Sequence, residues 1–257
     1  MILSRIIHHL KTQNWTAVAL EFVIVIAGVV IGFQVTAWNE ARQGEARGQA
    51  YLERIQSDLA VDIASYDDRI AFWSTVSDFG VQALDTSSDP DRIPGTEADW
   101  DLIVAFFQAS QVSEFNAVQT TYTEITSAGE LGLIANLNVR ERLSVYYTLT
   151  ENFTMTERPA YRVSVRGIIP IRLQLYIWEN CWDSDFYGRQ FLIACDPPAD
   201  SDEIMSTASL LATNTELHNQ LRYWISTLQV LQTMGRDRRS EASDIREAIA
   251  TDRGAEL

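Results

Sequence analysis

The chain is rich in carboxylates and poor in the groups that usually work with them. It carries 35 Asp and Glu against 20 Lys and Arg, with 3 His. Two of those histidines, His8 and His9, lie at the start, so His218 is the only one in the body. Acid–base or metal chemistry based on histidine therefore has little material. Glu124 and Glu130 could face each other in a cleft as an acid and a base, but sequence spacing does not separate such a pair from surface acids. Asp196, Asp200, Asp202 and Glu203 could collect around calcium. They lack the glycine and the ligand spacing of a calcium loop and read as a solvated turn. His8 and His9 point about 100° apart on a helix and have no third ligand nearby. No GxSxG, HExxH, P-loop, CxxC or Rossmann glycine pattern occurs. The expectation is a protein without catalytic residues, bound metal or cofactor.

Cys181 and Cys195 are the only cysteines, and they bracket a loop holding Trp182, Phe186, Tyr187 and Phe191. An even count on a domain outside the cytoplasm favours a disulfide. The alternative is two buried thiols.

The strongest element is the one that must hold all this in place. Residues 18–35 are apolar apart from Glu21 and Gln34. Trp15 and Trp38 bracket this run, and at about 1.5 Å per residue they stand roughly 34 Å apart. That spacing matches the hydrocarbon core plus the interfaces where tryptophan prefers to sit. A spanning helix over residues 15–38 is expected. A cleaved signal peptide is the competing reading, with small residues at Val35-Thr36-Ala37. Before the span, Leu3, Ile6, Ile7 and Leu10 recur at helical spacing, so residues 1–14 read as an amphipathic segment on the cytoplasmic leaflet. The short N-terminal tail and the large acidic remainder favour a cytoplasmic N-terminus. Residues 39–257 would then form the extracytoplasmic domain.

One face of the span is distinctive. Glu21, Gly28 and Gly32 fall within about 40° of one another on a helical wheel. Gly28 and Gly32 make a GxxxG pattern, which permits close helix approach, and a carboxyl below the interface seeks a partner or reaches for water. A packing face against a membrane partner or a second copy is expected.

The net charge is −15, and residues 1–37 contribute only Arg5, Lys11 and Glu21. The domain beyond the span is thus strongly acidic. Such a surface repels nucleic acid phosphates and gives no basic patch for anionic lipid. Lys11 is the sole lysine, a bias that hints at a bacterium with a GC-rich genome.

Beyond the span the periodicity is helical. Leu52, Ile55, Leu59, Ile63, Tyr66, Ile70 and Trp73 recur every three or four residues, with Gly44 and Gly48 as a possible hinge before them. Ser87-Ser88-Asp89-Pro90 ends that helix. A second helical stretch covers roughly 98–128, weakened near Ser110–Ser113 and closed by Gly129. Asn138 could cap a third helix with Leu143, Tyr146, Tyr147 and Phe153 on one face. Residues 163–178 read as helix or irregular buried segment, limited by Pro159 and Pro170. Thr213-Asn214-Thr215-Glu216 is a capping box before a last helix carrying Leu217, Leu221, Trp224, Leu228 and Leu231. That helix is expected to fray at Gly254.

The segment Leu20 to Gly32, followed by Trp38-Asn39-Glu40 and Tyr51-Leu52, resembles a large bacterial family known only as a domain of unknown function. A second match is Thr121-Tyr122-Thr123-Glu124-Ile125-Thr126-Ser127-Ala128-Gly129-Glu130-Leu131, then Ile134 and Tyr146-Tyr147. The resemblance covers most of residues 15–150. Gly32, Phe33 and the cysteine loop depart from the family pattern. It implies a retained anchor and a helical body, and it supplies no activity.

Taken together, these features lead us to expect an all-α protein: one N-terminal transmembrane helix, then an antiparallel helical-bundle-like extracytoplasmic domain at the bacterial inner membrane. The expected role is a non-enzymatic interaction module, accessory subunit or scaffold. The alternative is a periplasmic ligand-binding module, its pocket lined by Trp73, Tyr146, Tyr147 and Trp178 and anchored by Arg162 or Arg166.

Overall fold

A computed structural model of the chain describes residues 15–95, 97–113, 117–150, 159–186 and 188–255. The amphipathic segment expected over 1–14, His8-His9 within it, and Phe153 lie outside the described residues. In chain order the elements are α1 (Trp15–Ser88), α2 (Glu97–Gln108), α3 (Thr120–Ser127), a 3-10 turn (Leu131–Leu133), α4 (Leu137–Thr150), α5 (Ala160–Ile168), α6 (Ile171–Asn180), β1 (Trp182–Ser184), β2 (Gln190–Leu192), α7 (Ser201–Thr213) and α8 (Thr215–Ala255). The all-α expectation holds, with one addition: the cysteine loop folds as a small antiparallel hairpin pairing Trp182 with Leu192. Cys181 and Cys195 are disulfide-bonded at its base.

α1 is a single helix of 74 residues, about 110 Å long. It passes Trp38 without a break. Its N-terminal part is the one described helix long and apolar enough to cross a membrane. Its C-terminal half pairs with α8, and the order of contacts fixes the direction. Gln56 donates to Arg246 O, Arg239 reaches Asp67, Gly235 lies against Ile70 and Trp73, and Gly80 lies against Ile225 and Leu221. Numbers rise on one helix as they fall on the other, so the two are antiparallel.

The shorter helices complete two cores along this hairpin. The core nearer Trp38 joins Ile55, Leu59 and Tyr66 to Ile125, Leu143 and Ile245. The farther one joins Trp73 and Val76 to Trp100, Phe106, Tyr161 and Trp224. Most residues of the stripes read from three- and four-residue spacing are buried here, with Ile63 and Ile70 half-buried.

Local signals were placed less well. The stretch 98–128 is two helices, separated by residues 109–119. Gly129 does close α3, at φ +70°, with Glu130 N–H on Ile125 O and Gly129 N–H on Thr126 O. Asn136, not Asn138, caps α4: its Oδ1 accepts from the N–H of Asn138 and of Val139. Asn214, not Thr213, caps α8 by accepting from Leu217 N–H, while the Thr213 hydroxyl bonds back to Ser209 O. Residues 163–178 are the adjoining parts of α5 and α6, split at Pro170, and Gln174 spans the split by donating to Arg166 O and Ile169 O. α8 continues through Gly254 to Ala255.

Between α2 and α3, residues 109–113 and 117–119 are held at their helix ends. Buried helix termini need partners for their orphan groups. At the C-terminus of α2, Ala105 O accepts from Ala109 N–H, Phe106 O from the Tyr161 hydroxyl, Phe107 O from Ser110, and Gln108 O from Gln111 N–H. Trp224 Nε1 then donates to Ala109 O at 2.9 Å. At the other end Asp62 accepts from Val118 N–H at 2.9 Å, and Asp58 lies 3.4 Å from Thr121 N. These carboxylates on α1 meet the positive end of α3, which has no side-chain cap of its own.

Candidate functional site

α1 carries two glycine pairs at four-residue spacing, and their surroundings differ. A side chain on Gly28 or Gly32 would meet nothing within 4 Å. Gly44 and Gly48 are covered by the 3-10 turn: a Cβ on Gly44 would stand 3.3 Å from Leu133 Cδ2, and one on Gly48 would overlap the Leu133 carbonyl. Gly44 and Gly48 are therefore not a hinge. They are the seat that lets the turn approach a continuous helix.

Around that seat residues 47–54 of α1 and residues 124–130 come together as a collar. Tyr51 donates its hydroxyl to Glu130 at 2.7 Å, and Arg47 lies 3.4 Å from the same carboxylate. Arg54 forks onto Glu124, with Nη1 to Oε1 at 3.1 Å. The Glu130 hydrogen bond, with lesser help from burial, holds the Tyr51 phenol above its ordinary pKa, so it stays a donor. The Arg54 hydrogen bond lowers the pKa of Glu124. Glu124 and Glu130 thus make ion pairs and a hydrogen bond between elements, and both carboxylates are occupied.

Asp62 sits deeper, 1% exposed. Burial raises its pKa, against the opposing effect of Val118 N–H and the Tyr146 hydroxyl, which donates at 2.8 Å. Burial likewise keeps Tyr146 protonated far above neutrality. Sequence reasoning passed over Asp58 and Asp62. The available signal was two acids four residues apart interleaved with Ile55, Leu59 and Ile63.

Glu21, Gly28 and Gly32 are exposed, as is all of α1 from Val18 to Gln43. His218 stacks on Phe106, and its Nε2 is 2.9 Å from Leu211 O. Asp200 caps α7 and pairs with Arg172, as does Glu203. Among the described residues no group of three or more His, Cys, Asp or Glu could hold a metal. The pocket imagined between Trp73, Tyr146, Tyr147 and Trp178 does not form: the tyrosines belong to the nearer core and the tryptophans to the farther one. Arg166 does lie between aromatic rings, 4.6 Å from Phe107 and 5.1 Å from Trp178.

The relation between the two glycine pairs is angular as well as local. At about 100° per residue, Gly44, Gly48, Ile55, Leu59, Asp62 and Tyr66 share one side of α1. Glu21, Gly28 and Gly32 point roughly 170° away from it. The turn and the nearer core pack on the first side; farther along α1 the β1–β2 hairpin reaches round it, where Arg189 lies 3.6 Å from Asp68.

No family model, curated protein or solved structure matches the chain.

Proposed function

We propose that the protein is a non-enzymatic, membrane-anchored interaction module of the bacterial cell envelope. In this reading residues 15–38 span the inner membrane, the N-terminus is cytoplasmic, and the helical body stands in the periplasm. The observation that carries the reading is the contrast along α1. Its body-side glycines are filled by the chain itself, whereas Gly28 and Gly32 face outward with no neighbour. Because the turn and the nearer core pack on the opposite side, a second helix can lie along the Glu21, Gly28 and Gly32 face without meeting them. A continuous α1 with an occupied collar would hold the body in fixed rotation relative to that face. The disulfide agrees with an oxidising compartment.

Two measurements test this. Intact mass of the membrane-extracted protein should show residues 1–37 retained; a mature form starting at Trp38 would remove the anchor. Purification of the full chain in mild detergent should bring down discrete protein partners, or a second copy, and Gly28→Ile should lose them. Identical recovery from parent and variant contradicts the packing face.

A further inference from the structure

The connection 109–119 is clasped at its α2 end by two arginines one turn apart on α5. Arg162 Nη1 donates to Ser110 O at 2.6 Å. Arg166 Nε donates to Ser110 Oγ at 3.1 Å, and its Nη2 to Gln111 Oε1 at 3.1 Å. Two guanidinium groups therefore converge on one serine. Both are cations in a half-buried setting, and all three of their acceptors are neutral. Among the described residues no carboxylate pairs with either. Burial lowers the pKa of both, that of Arg166 to about 10, where Arg162 adds like-charge repulsion. The contrast with Arg47, Arg54, Arg142 and Arg172 is direct, since each of those meets one or two acids.

Capping α2 does not use up this charge. The last four carbonyls of α2 already have other partners. A guanidinium offers about five N–H donors. Arg162 spends one bond and Arg166 two, so Arg162 Nε and Nη2 and Arg166 Nη1 are left without a partner among the described residues. Both side chains are only half-buried. The aromatic faces of Phe107 and Trp178 cover Arg166 from another side and supply attraction but no anion.

We propose that Arg162 and Arg166 form a binding site for a small soluble oxyanion, a phosphate or a carboxylate. Paired guanidinium edges match the two oxygens of such a group. The surrounding acidity restricts the ligand: a polyanion such as nucleic acid is repelled by the rest of the body, whereas one small anion can reach the clasp. Lipid headgroups of the anchoring membrane are out of range. The clasp lies near the level of Gly80, which stands about 60 Å beyond Trp38 along α1. Binding would tie α5 more firmly to residues 110–111 and so stabilise the farther core.

The test uses the full chain in detergent micelles. Inorganic phosphate and succinate are titrated by calorimetry at constant ionic strength, with chloride as the reference. Saturable binding of at least one is expected, with a rise in the unfolding temperature that chloride does not give. Arg162→Gln should weaken binding about tenfold or more, a loss of about 1.4 kcal/mol per factor of ten. Should that variant fail to fold, Arg162→Lys keeps the charge and loses the fork, and it should weaken binding while the fold stands. Unsaturable heats with both anions, or equal affinity in the parent and a folded Arg162 variant, would overturn the site.

Discussion

Gly28 and Gly32 have the same spacing, on the same helix, as Gly44 and Gly48, and the two pairs have opposite fates. The second pair receives the Leu131–Leu133 turn of its own chain; the first receives nothing. The difference comes from the neighbours. Around Gly44 and Gly48 stand Arg47, Tyr51 and Arg54, which reach Glu130 and Glu124 across the seam and fix which segment docks. Around Gly28 and Gly32 the side chains are apolar and exposed. A four-residue glycine spacing marks a place for close approach, and the flanking chemistry decides whether the approaching backbone belongs to the same chain.

The comparison is broken most forcefully at Gly48. Any side chain there overlaps the Leu133 carbonyl, which is backbone and cannot swing aside. Gly48→Val should destabilise the body by about 3 kcal/mol or more through overpacking and loss of the docked turn. Urea unfolding of the full chain in micelles would show it as a lowered midpoint. A midpoint equal to the parent's would mean that the turn does not seat there.

Reducing the Cys181–Cys195 bond acts at the far end of the molecule. The loop it closes has a sequence separation of 14, worth about 3 kcal/mol in the chain-entropy view. Dithiothreitol should lower the unfolding midpoint of the farther core and leave association through the span unchanged. Loss of association on reduction would show that the two ends are coupled.

How much of this was legible in sequence follows from the range of the interactions. Helices with a buried stripe, the long apolar N-terminal helix, the turn after α1 and the Gly129 terminus are written in residues close in sequence, and these the structure contains. Caps were misplaced by one or two residues because Asn136 and Asn138, or Thr213 and Asn214, are equally able to cap. The path of the chain selects between them. The collar and the clasp at Ser110 join residues more than fifty positions apart, so no local pattern reveals them. The aromatic pocket failed for the same reason: helical spacing points Trp73, Tyr146 and Tyr147 inward, but does not say that they belong to different cores.

A smaller effect is expected from pH at Asp62. Its folded pKa is raised above the ordinary value of 3.8 by burial, so the native state holds the proton more tightly than the unfolded chain. By linkage its contribution becomes more favourable as pH falls through the raised value towards 3.8, and is lost as pH rises. This is the reverse of a salt-bridged carboxylate. Asp62→Asn keeps an acceptor for Val118 N–H and should flatten that part of the profile, with about 1 kcal/mol or less of change at neutral pH. A parent-minus-variant difference that grows in favour of the parent with rising pH would contradict the assignment. Smaller again is Gly44→Ala, whose new methyl meets only the mobile end of Leu133. The stability read from its urea midpoint should change by less than about 1 kcal/mol.

The most direct test compares the two glycine pairs in one assay of helix association within a membrane. Gly28→Ile and Gly32→Ile should each reduce association while leaving the urea midpoint of the body unchanged, because a larger side chain holds the helices apart. Val30→Ile, about 160–200° around the helix from the two glycines, should do little. Association equal to the parent in both glycine variants would show that the Glu21, Gly28 and Gly32 face meets only lipid, and that the span is an anchor and nothing more.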